Sequence, residues 1–155
     1  MHTQVATQHN CQMQVISHIA DRLKDLHASG YVHRDIKPGN IMWLPRKKRW
    51  TLIDFGCAAR TGEQAPTGFS LFYVAPEALS AYLAGSRSVV ATEALDAWSL
   101  GVLAIELFTG NSVFNHMHSK QDVRFHAVLL CTRDDTLVLQ LHPYPKLPVN
   151  RKLRT

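Results

Sequence analysis

The eight residues His33-Arg34-Asp35-Ile36-Lys37-Pro38-Gly39-Asn40 carry more chemical information than any other part of this 155-residue chain. They place a carboxylate at Asp35, an ammonium at Lys37 and a carboxamide at Asn40 within one loop. A carboxylate can accept the proton of an attacking hydroxyl, an ammonium can hold a moving phosphate, and an amide oxygen can bind a hard cation. The loop therefore supplies the side chains that phosphoryl transfer requires.

A second carboxylate lies in Asp54-Phe55-Gly56, which follows two short apolar runs, Ile41 to Leu44 and Trp50 to Ile53. These runs predict two strands joined by a charged hairpin. One carboxylate and one amide oxygen suit Mg²⁺, which keeps several waters and takes further ligands from substrate phosphates. Asn40 and Asp54 are therefore the candidate metal ligands.

Helices are predicted on both sides of these motifs. Apolar residues recur at spacings of three and four from Cys11 to Leu26, which predicts a helix with one buried face. The pattern from Glu93 to Thr109 is helical and apolar almost all round, so we expect a helix enclosed on most sides. A short helix is predicted from Tyr73 to Tyr82, residues 56–68 are predicted to be a loop, and residues 1–10 a flexible N-terminus.

The composition, with 46% hydrophobic and 19% charged residues, is that of a globular domain and excludes collagenous, mucin-like and disordered classes. The net charge of +5 arises from two clusters, Arg46 to Arg49 and the last ten residues. Because the basic residues are so localised, they do not favour a nucleic-acid or membrane partner. The alternative is that Arg46 to Arg49 serve as a nuclear-import or nucleic-acid patch.

The cysteines indicate the compartment. Cys11, Cys57 and Cys131 are odd in number, far apart and without a CxxC pair, which argues against a disulfide framework and predicts a reducing, cytoplasmic location. No apolar stretch approaches the roughly 18 residues of a membrane span, and no leader is recognisable. A zinc site is the alternative for four residues that lack a ligand pair at finger spacing: His116, His118, His126 and Cys131.

Together these motifs make the chain resemble the large, C-terminal lobe of eukaryotic-type protein kinases of the serine/threonine type. After the catalytic loop come, in the family's order, Asp54-Phe55-Gly56, Ala75-Pro76-Glu77 and Asp96-Ala97-Trp98-Ser99-Leu100-Gly101. The resemblance covers about residues 11–115 and implies a mainly α fold with a small β-hairpin. Within it the catalytic loop would span residues 31–40, the activation segment residues 54–77 and the buried helix residues 93–109.

The resemblance also implies ATP- and Mg²⁺-dependent transfer of phosphate to a protein hydroxyl. Asp35 would be the base or orienter of that hydroxyl, Lys37 would contact the transferring phosphate, and Asn40 and Asp54 would hold the metal ions. Lys two positions after the catalytic Asp is the serine/threonine pattern. Further implied roles are nucleotide contact for Met42 and Ile53, a hydrophobic spine for His33 and Phe55 beside Gly56, support of the catalytic loop by Asp96, and a bridge from Ser70 to Asp35 and Lys37.

Arg34, directly before Asp35, resembles the arginine of kinases that are switched on by phosphorylation of the activation segment. In those kinases the new phosphate pairs with that arginine. Thr61 and Thr67 are the candidate acceptors. The implied partners are therefore a protein substrate and an upstream activating kinase.

The sequence also departs from the family pattern. It has no glycine-rich phosphate loop, no strand Lys in a Val-Ala-Ile-Lys setting and no helix Glu to pair with that Lys, so we expect the N-terminal lobe to be missing. Phe69-Ser70 stand where the family usually has Gly-Thr. The Arg that normally pairs with the Glu77 position is not recognisable, Arg133 being only a poor substitute. Residues 116–155 are expected to be a divergent, partly disordered tail that truncates or replaces the last helices.

Two functions are therefore predicted. The first is a serine/threonine kinase that uses the catalytic-loop residues and Asp54. The alternative is a catalytically silent C-lobe that acts as a docking or regulatory binding module, because catalysis by positioning requires the nucleotide to be held from both sides.

Overall fold

The computed structural model describes residues 2–114, with side chains from His9 onward. This part of the chain has three helices and six short strands. In chain order they are α1 His2–Ala28, β1 Tyr31–Val32, β2 Ile41–Leu44, β3 Arg49–Leu52, β4 Ala59–Arg60, β5 Gln64–Pro66, α2 Pro76–Leu83, β6 Ser88–Val90 and α3 Glu93–Thr109. None of these three helices contains a stretch apolar enough to cross a membrane.

The strands pair as three separate two-stranded antiparallel sheets, β1 with β4, β2 with β3 and β5 with β6. In the β2–β3 hairpin Ile41 pairs with Leu52 and Leu44 with Arg49. The turn consists of a 3-10 segment, Pro45–Lys47, followed by Lys48 in the left-handed region with φ of 46°. The other two sheets fix the segment after β3, because β4 pairs with β1 and β5 pairs with β6.

The main core lies where α1, the β2–β3 hairpin and α3 meet. Its buried members are Ile19, Leu23, Ile36, Leu52 and Leu103. Burial of an aliphatic side chain of this size contributes about 1.5–3 kcal/mol. Because the fully buried Ile36 side chain belongs to this core, it fixes the loop that contains Asp35 and Lys37 to the rest of the fold.

A second apolar cluster joins α2 to the N-terminal part of α3. It consists of Val74, Ala75, Ala78, Leu79 and Leu95. Since α3 contributes Leu95 to this cluster and Leu103 to the main core, the helix is shared by both. The segment that precedes α2 is thereby held against the same helix that supports the catalytic loop.

Helix α1 begins at His2, so the described backbone is helical over most of residues 1–10, for which a flexible N-terminus was predicted. No Gly or Pro interrupts residues 2–10, so the helix can extend beyond its apolar periodicity. Residues 56–68, predicted to be a loop, contain β4 and β5. These strands have only two and three residues, too few for a period-2 pattern to be visible.

Helix α3 occupies the predicted range, but the described residues do not enclose it on most sides. Leu95, Val102 and Leu103 are buried, whereas Gly101 and Phe108 are exposed. The hydrophobic pattern therefore identified the helix, and the described residues bury only part of its apolar surface. The predicted tail at 116–155, with Cys131 and the three candidate zinc histidines, lies outside the described residues.

Candidate active site

The start of the catalytic loop is fixed by Asp96, a fully buried carboxylate in the first turn of α3. The backbone N–H of His33 donates to Asp96 Oδ2 at 2.8 Å, and that of Arg34 donates to Oδ1 at 2.7 Å. His27 Nε2, near the end of α1, lies 2.8 Å from Oδ2. A buried carboxylate with both oxygens hydrogen-bonded is held in one position. Asp96 therefore connects the loop to both long helices.

Arg34 extends from this loop to the segment after β3. Its backbone is in the left-handed region with φ of 69°, an uncommon conformation that the hydrogen bond to Asp96 helps to maintain. Its Nη1 donates to the carbonyl of Cys57 at 3.1 Å, and its Nη2 donates to the carbonyl of Pro66. Burial lowers the pKa of Arg34, while Cys57 and Asp96 act in the opposite direction. Arg34 thus binds the predicted activation segment at two places, near its start and near its middle, through backbone carbonyls.

The two candidate phosphorylation sites, Thr61 and Thr67, differ in their position relative to Arg34. Thr67 is half-buried and directly follows Pro66, whose carbonyl Arg34 binds. Its N–H donates to the carbonyl of Arg87 at 3.1 Å. Thr61 is exposed, immediately after β4, and its N–H donates to the carbonyl of Gly30 at 2.9 Å. Of the two, Thr67 is the one next to the arginine contact in sequence.

The centre of the site is a hydrogen-bonded group around the Asp35 carboxylate. Lys37 Nζ lies 2.7 Å from Asp35 Oδ2, and Ser70 Oγ donates to Asp35 Oδ1 at 2.7 Å. Lys37 Nζ also donates to Ser70 Oγ at 2.9 Å, which closes a triangle of three side chains. Burial raises the pKa of Asp35, but hydrogen bonds from Lys37, Ser70 and Asn40 and the charge of Lys37 outweigh it. The pKa of Asp35 therefore lies below its ordinary value and the group is a carboxylate at neutral pH.

Asn40 joins this group from the other end of the loop. Its Nδ2 donates to the carbonyl of Asp35 at 2.8 Å and to Asp35 Oδ2 at 2.9 Å. The amide nitrogen is thereby committed to Asp35, so the amide oxygen is the atom that can serve as a metal ligand. The backbone connects it to the second carboxylate, because the N–H of Ile53 donates to the carbonyl of Asn40 at 3.0 Å.

Asp54 follows Ile53 with a left-handed backbone, φ 59°, and an exposed side chain. Its Oδ1 accepts a hydrogen bond from the N–H of Gly56 at 3.2 Å. A Cβ at position 56 would lie only 3.1 Å from this oxygen, which explains why the position suits glycine. Asn40 and Asp54 are thus brought to adjacent positions by the Ile53 hydrogen bond.

This donor set fits Mg²⁺ bound together with phosphate. The described side chains include no group of three or more His, Cys, Asp and Glu that could hold a metal ion by themselves. One carboxylate and one amide oxygen are hard ligands, too few for a closed protein site and sufficient when water and phosphate oxygens complete the shell. The residues present therefore fit a cation that arrives with a nucleotide.

The face next to these ligands is apolar and open. Met42 and Phe55 are 43% and 50% exposed, whereas Ile53 is half-buried. The ring of Phe55 lies 4.9 Å from that of fully buried His33, and His33 Nε2 lies 3.2 Å from the carbonyl of Ile53. The structure therefore brings the predicted spine residues together and leaves the predicted nucleotide surface accessible.

Glu77 is not part of the hydrogen-bonded group around Asp35. It lies exposed in the first turn of α2, and no ion pair in the described part of the chain includes it. Arg133, the poor candidate for its pairing arginine, lies outside the described residues, and none of the described arginines forms an ion pair with Glu77.

Four further residues support the site and were not singled out from the sequence. His27 binds Asp96, Ser99 Oγ donates to the carbonyl of Tyr73 at 2.7 Å, and the Tyr73 hydroxyl donates to Glu106. Burial and the neighbouring Glu106 raise the pKa of Tyr73. Ser99 and Glu106 are seven residues apart and so share one face of α3, a spacing that could have revealed them as a pair.

Comparisons with known proteins agree with this geometry. The chain matches the protein kinase domain family over residues 2–144. It is 38% identical over 120 residues to serine/threonine-protein kinase Kist of Homo sapiens, which covers 72% of this chain and 29% of that protein. Calcium and calcium/calmodulin-dependent serine/threonine-protein kinase of Lilium longiflorum is 38% identical over 107 residues, or 66% of this chain and 19% of that protein. Mitogen-activated protein kinase 12 of Danio rerio is 33% identical over 102 residues, which are 64% of this chain and 26% of that protein. The chain thus spans less than a third of the length of these relatives.

Proposed function

The chain belongs to the protein kinase family, and from this premise we propose that it provides the catalytic-loop half of a serine/threonine kinase site. Residues 11–115 would act as the C-terminal lobe and transfer the terminal phosphate of ATP to a protein hydroxyl. The observation that carries the proposal is the closed hydrogen-bonded group of Asp35, Lys37 and Ser70, with contacts of 2.7–2.9 Å.

Asp35 is the proton acceptor in this proposal. Its lowered pKa keeps it ionised, and Lys37 and Ser70 fix the orientation of its two oxygens. As the substrate oxygen forms its bond to phosphorus, its proton passes to the Asp35 carboxylate, while the bond from phosphorus to the nucleotide oxygen breaks. The Lys37 ammonium is close enough to Asp35 to stabilise the phosphoryl group as it moves.

Asn40 and Asp54 would hold the metal, and Met42 and Ile53 would contact the nucleotide. When bound, Mg²⁺ neutralises charge on the phosphates. The chain's own contribution is to bring the two segments that carry these ligands together, through the backbone hydrogen bond from Ile53 N–H to the carbonyl of Asn40. The apolar surface of Met42 is open for a planar base.

The second candidate function is a catalytically silent binding module. It is favoured by the exposure of Met42 and Phe55, since nothing in the described part of the chain covers this face. The sheets of residues 2–114 have only two strands each. Binding on one side only would weaken nucleotide affinity, because the positioning that catalysis requires depends on contacts from both sides.

The deciding experiment measures Mg²⁺-dependent ATP binding and phosphate transfer to a generic protein substrate. The 155-residue chain is compared with Asp54→Asn and Asp35→Asn, which are matched in size. We expect Asp35→Asn to lower transfer by about 100-fold or more, and Asp54→Asn to abolish Mg²⁺-dependent transfer. Transfer that survives in Asp54→Asn contradicts the kinase assignment. A folded chain that binds no ATP supports the silent module, and stoichiometric Mg²⁺-dependent binding rules that module out.

A further inference from the structure

The tip of the β2–β3 hairpin carries four consecutive basic residues, Arg46, Lys47, Lys48 and Arg49, which we call the basic tip. The first three are exposed and Arg49 is half-buried. Among the described side chains, no carboxylate lies within ion-pair distance of any of the four. Their positive charge is therefore not neutralised by this part of the chain.

The backbone holds these charges in a defined arrangement. Four residue pairs between β2 and β3 fix the hairpin, and the 3-10 turn Pro45–Lys47 closes it through a hydrogen bond from Lys48 N–H to the carbonyl of Pro45. Lys48 itself has a left-handed backbone, φ 46°. A basic cluster on such a turn presents its charges together, which favours a ligand with several closely spaced negative groups.

An aromatic pair lies beside the basic tip. The rings of Trp43 and Trp50, opposite each other on the two strands, have centroids 5.4 Å apart at an angle of 57°. Trp50 is anchored, because its side chain packs against the main core and its backbone N–H donates to His18 Nδ1 at 3.2 Å. Trp43 is 39% exposed on this support. Exposed, rigid tryptophans next to basic residues are typical of binding surfaces in which one aromatic anchor carries much of the affinity.

We propose that the basic tip together with Trp43 is a docking surface for an acidic segment of a protein partner. The surface contains none of the residues assigned to catalysis, so this goes beyond the proposed function. Charge complementarity selects the partner, since Glu and Asp side chains would neutralise the four cations while an apolar residue of the same segment covers Trp43.

A nucleic acid fits this surface less well. Affinity for a phosphate backbone grows with the number of phosphates neutralised along it. Outside the basic tip and the last ten residues, however, the chain has 12 acidic residues and nine basic ones. The basic residues are thus concentrated at the tip rather than spread as an excess over the chain, and a short acidic peptide matches a patch of one turn.

The position of the surface gives the docking a consequence for catalysis. Strand β2 begins directly after Asn40, and Asp54 comes two residues after β3 ends. A four-residue strand spans about 13 Å, so the basic tip lies about that far along the hairpin from the candidate metal ligands. One extended peptide of several residues could occupy both places.

The test is a binding measurement that needs neither ATP nor transfer. A fluorescein-labelled peptide of six Glu residues followed by one Leu, which supplies the apolar side chain for Trp43, is titrated with the 155-residue chain at low salt, and fluorescence anisotropy gives Kd. We expect Lys47→Glu/Lys48→Glu to weaken binding by about tenfold or more. Lys24→Glu/Arg87→Glu makes the same change in net charge at two other exposed positions and is expected to change Kd by less than about twofold. Trp43→Ala is expected to weaken binding several-fold.

Three outcomes overturn the proposal. They are no binding of the peptide by a folded chain, equal losses in the two charge-reversal variants, and tighter binding of a single-stranded oligothymidylate than of the peptide at equal salt. Circular dichroism on each variant verifies folding. Because the readout is independent of phosphate transfer, a failure here is distinguishable from a failure of the kinase proposal.

Discussion

Asp35 shows how a single residue acquires its chemistry from several neighbours. Burial alone would raise the pKa of Asp35 and favour its protonated form. Three hydrogen-bond donors and one positive charge act against burial and lower the pKa. The sequence predicted Lys37 and Asn40 as members of this group because they lie in the same loop. Ser70 is 35 residues away from Asp35, and only the resemblance to kinases suggested that it would be there.

The lowered pKa of Asp35 makes a prediction about stability and pH. A carboxylate whose pKa is lower in the folded than in the unfolded chain stabilises the fold above the unfolded value, about 3.9, and loses that contribution as the pH falls through the folded value. We therefore expect Asp35→Asn to show a smaller loss of unfolding free energy between pH 7 and pH 3 than the unmodified chain, measured by urea denaturation. Asp21→Asn, an exposed position, is the control. An unchanged pH dependence in Asp35→Asn would contradict the assignment of donors to this carboxylate.

Asp96 permits a second prediction at this scale. Asp96→Asn keeps the size of the side chain but replaces one acceptor oxygen by an amide that faces backbone N–H groups. Loss of charged, buried hydrogen bonds costs about 1.5–3 kcal/mol each, so we expect a decrease of about 2–4 kcal/mol in the free energy of unfolding. Glu93→Gln, at an exposed carboxylate 3.7 Å from His27, is expected to change it by less than about 0.5 kcal/mol. Equal effects of the two variants would show that Asp96 does not brace the loop.

At the scale of elements, long periodic segments were predictable and short pairings were not. The apolar pattern predicted α3 and the β2–β3 hairpin with their bounds to within a residue, because burial against one core imposes a period on the sequence. The sheets β1–β4 and β5–β6 were missed. Their strands have two or three residues, and partners such as Tyr31 and Arg60 are set by the path of the chain rather than by local propensity.

The candidate site was predictable for a different reason. Its residues stand in motifs with fixed spacing, so the resemblance named Asp35, Lys37, Asn40 and Asp54 without any tertiary information. His27 and Glu106 were not found, because each acts through a contact between elements, with Asp96 and Tyr73 respectively. These contacts depend on how α1 and the segment before α2 pack against α3, which local sequence does not determine.

Two glycines of α3 give a prediction for this element. Gly101 lies in the helix interior, where an added Cβ would meet no atom of another described element within 4 Å, whereas Gly110 ends the helix with φ of 69°. We expect Gly101→Ala to stabilise the fold by up to about 1 kcal/mol through helix propensity. Gly110→Ala is expected to destabilise it by about 1–2 kcal/mol, because Ala is strained in the left-handed region. Thermal unfolding of the two variants measures this, and changes of the same sign would contradict it.

At the scale of the whole molecule, α3 is the element that makes one folding unit out of two apolar clusters. It contributes Leu103 to the core with α1 and the hairpin, and Leu95 to the cluster with α2. Asp96, between these two residues, binds the catalytic loop. Stability and the geometry of the candidate site therefore depend on the same helix.

This arrangement predicts that unfolding is cooperative across both clusters. Leu103→Ala removes a buried side chain from one cluster only and should lower the free energy of unfolding by about 2–5 kcal/mol. Tryptophan fluorescence reports on both clusters, because Trp50 lies beside one and Trp98 beside the other. If α3 joins the clusters, the urea midpoints measured by this fluorescence and by far-ultraviolet circular dichroism should shift together. Met13→Ala, at a residue 57% exposed on α1, should leave both curves within about 0.5 kcal/mol of the original. Separate transitions in Leu103→Ala would mean that the clusters unfold independently, and that the catalytic loop can lose its support from α1 while the segment before α2 remains packed on α3.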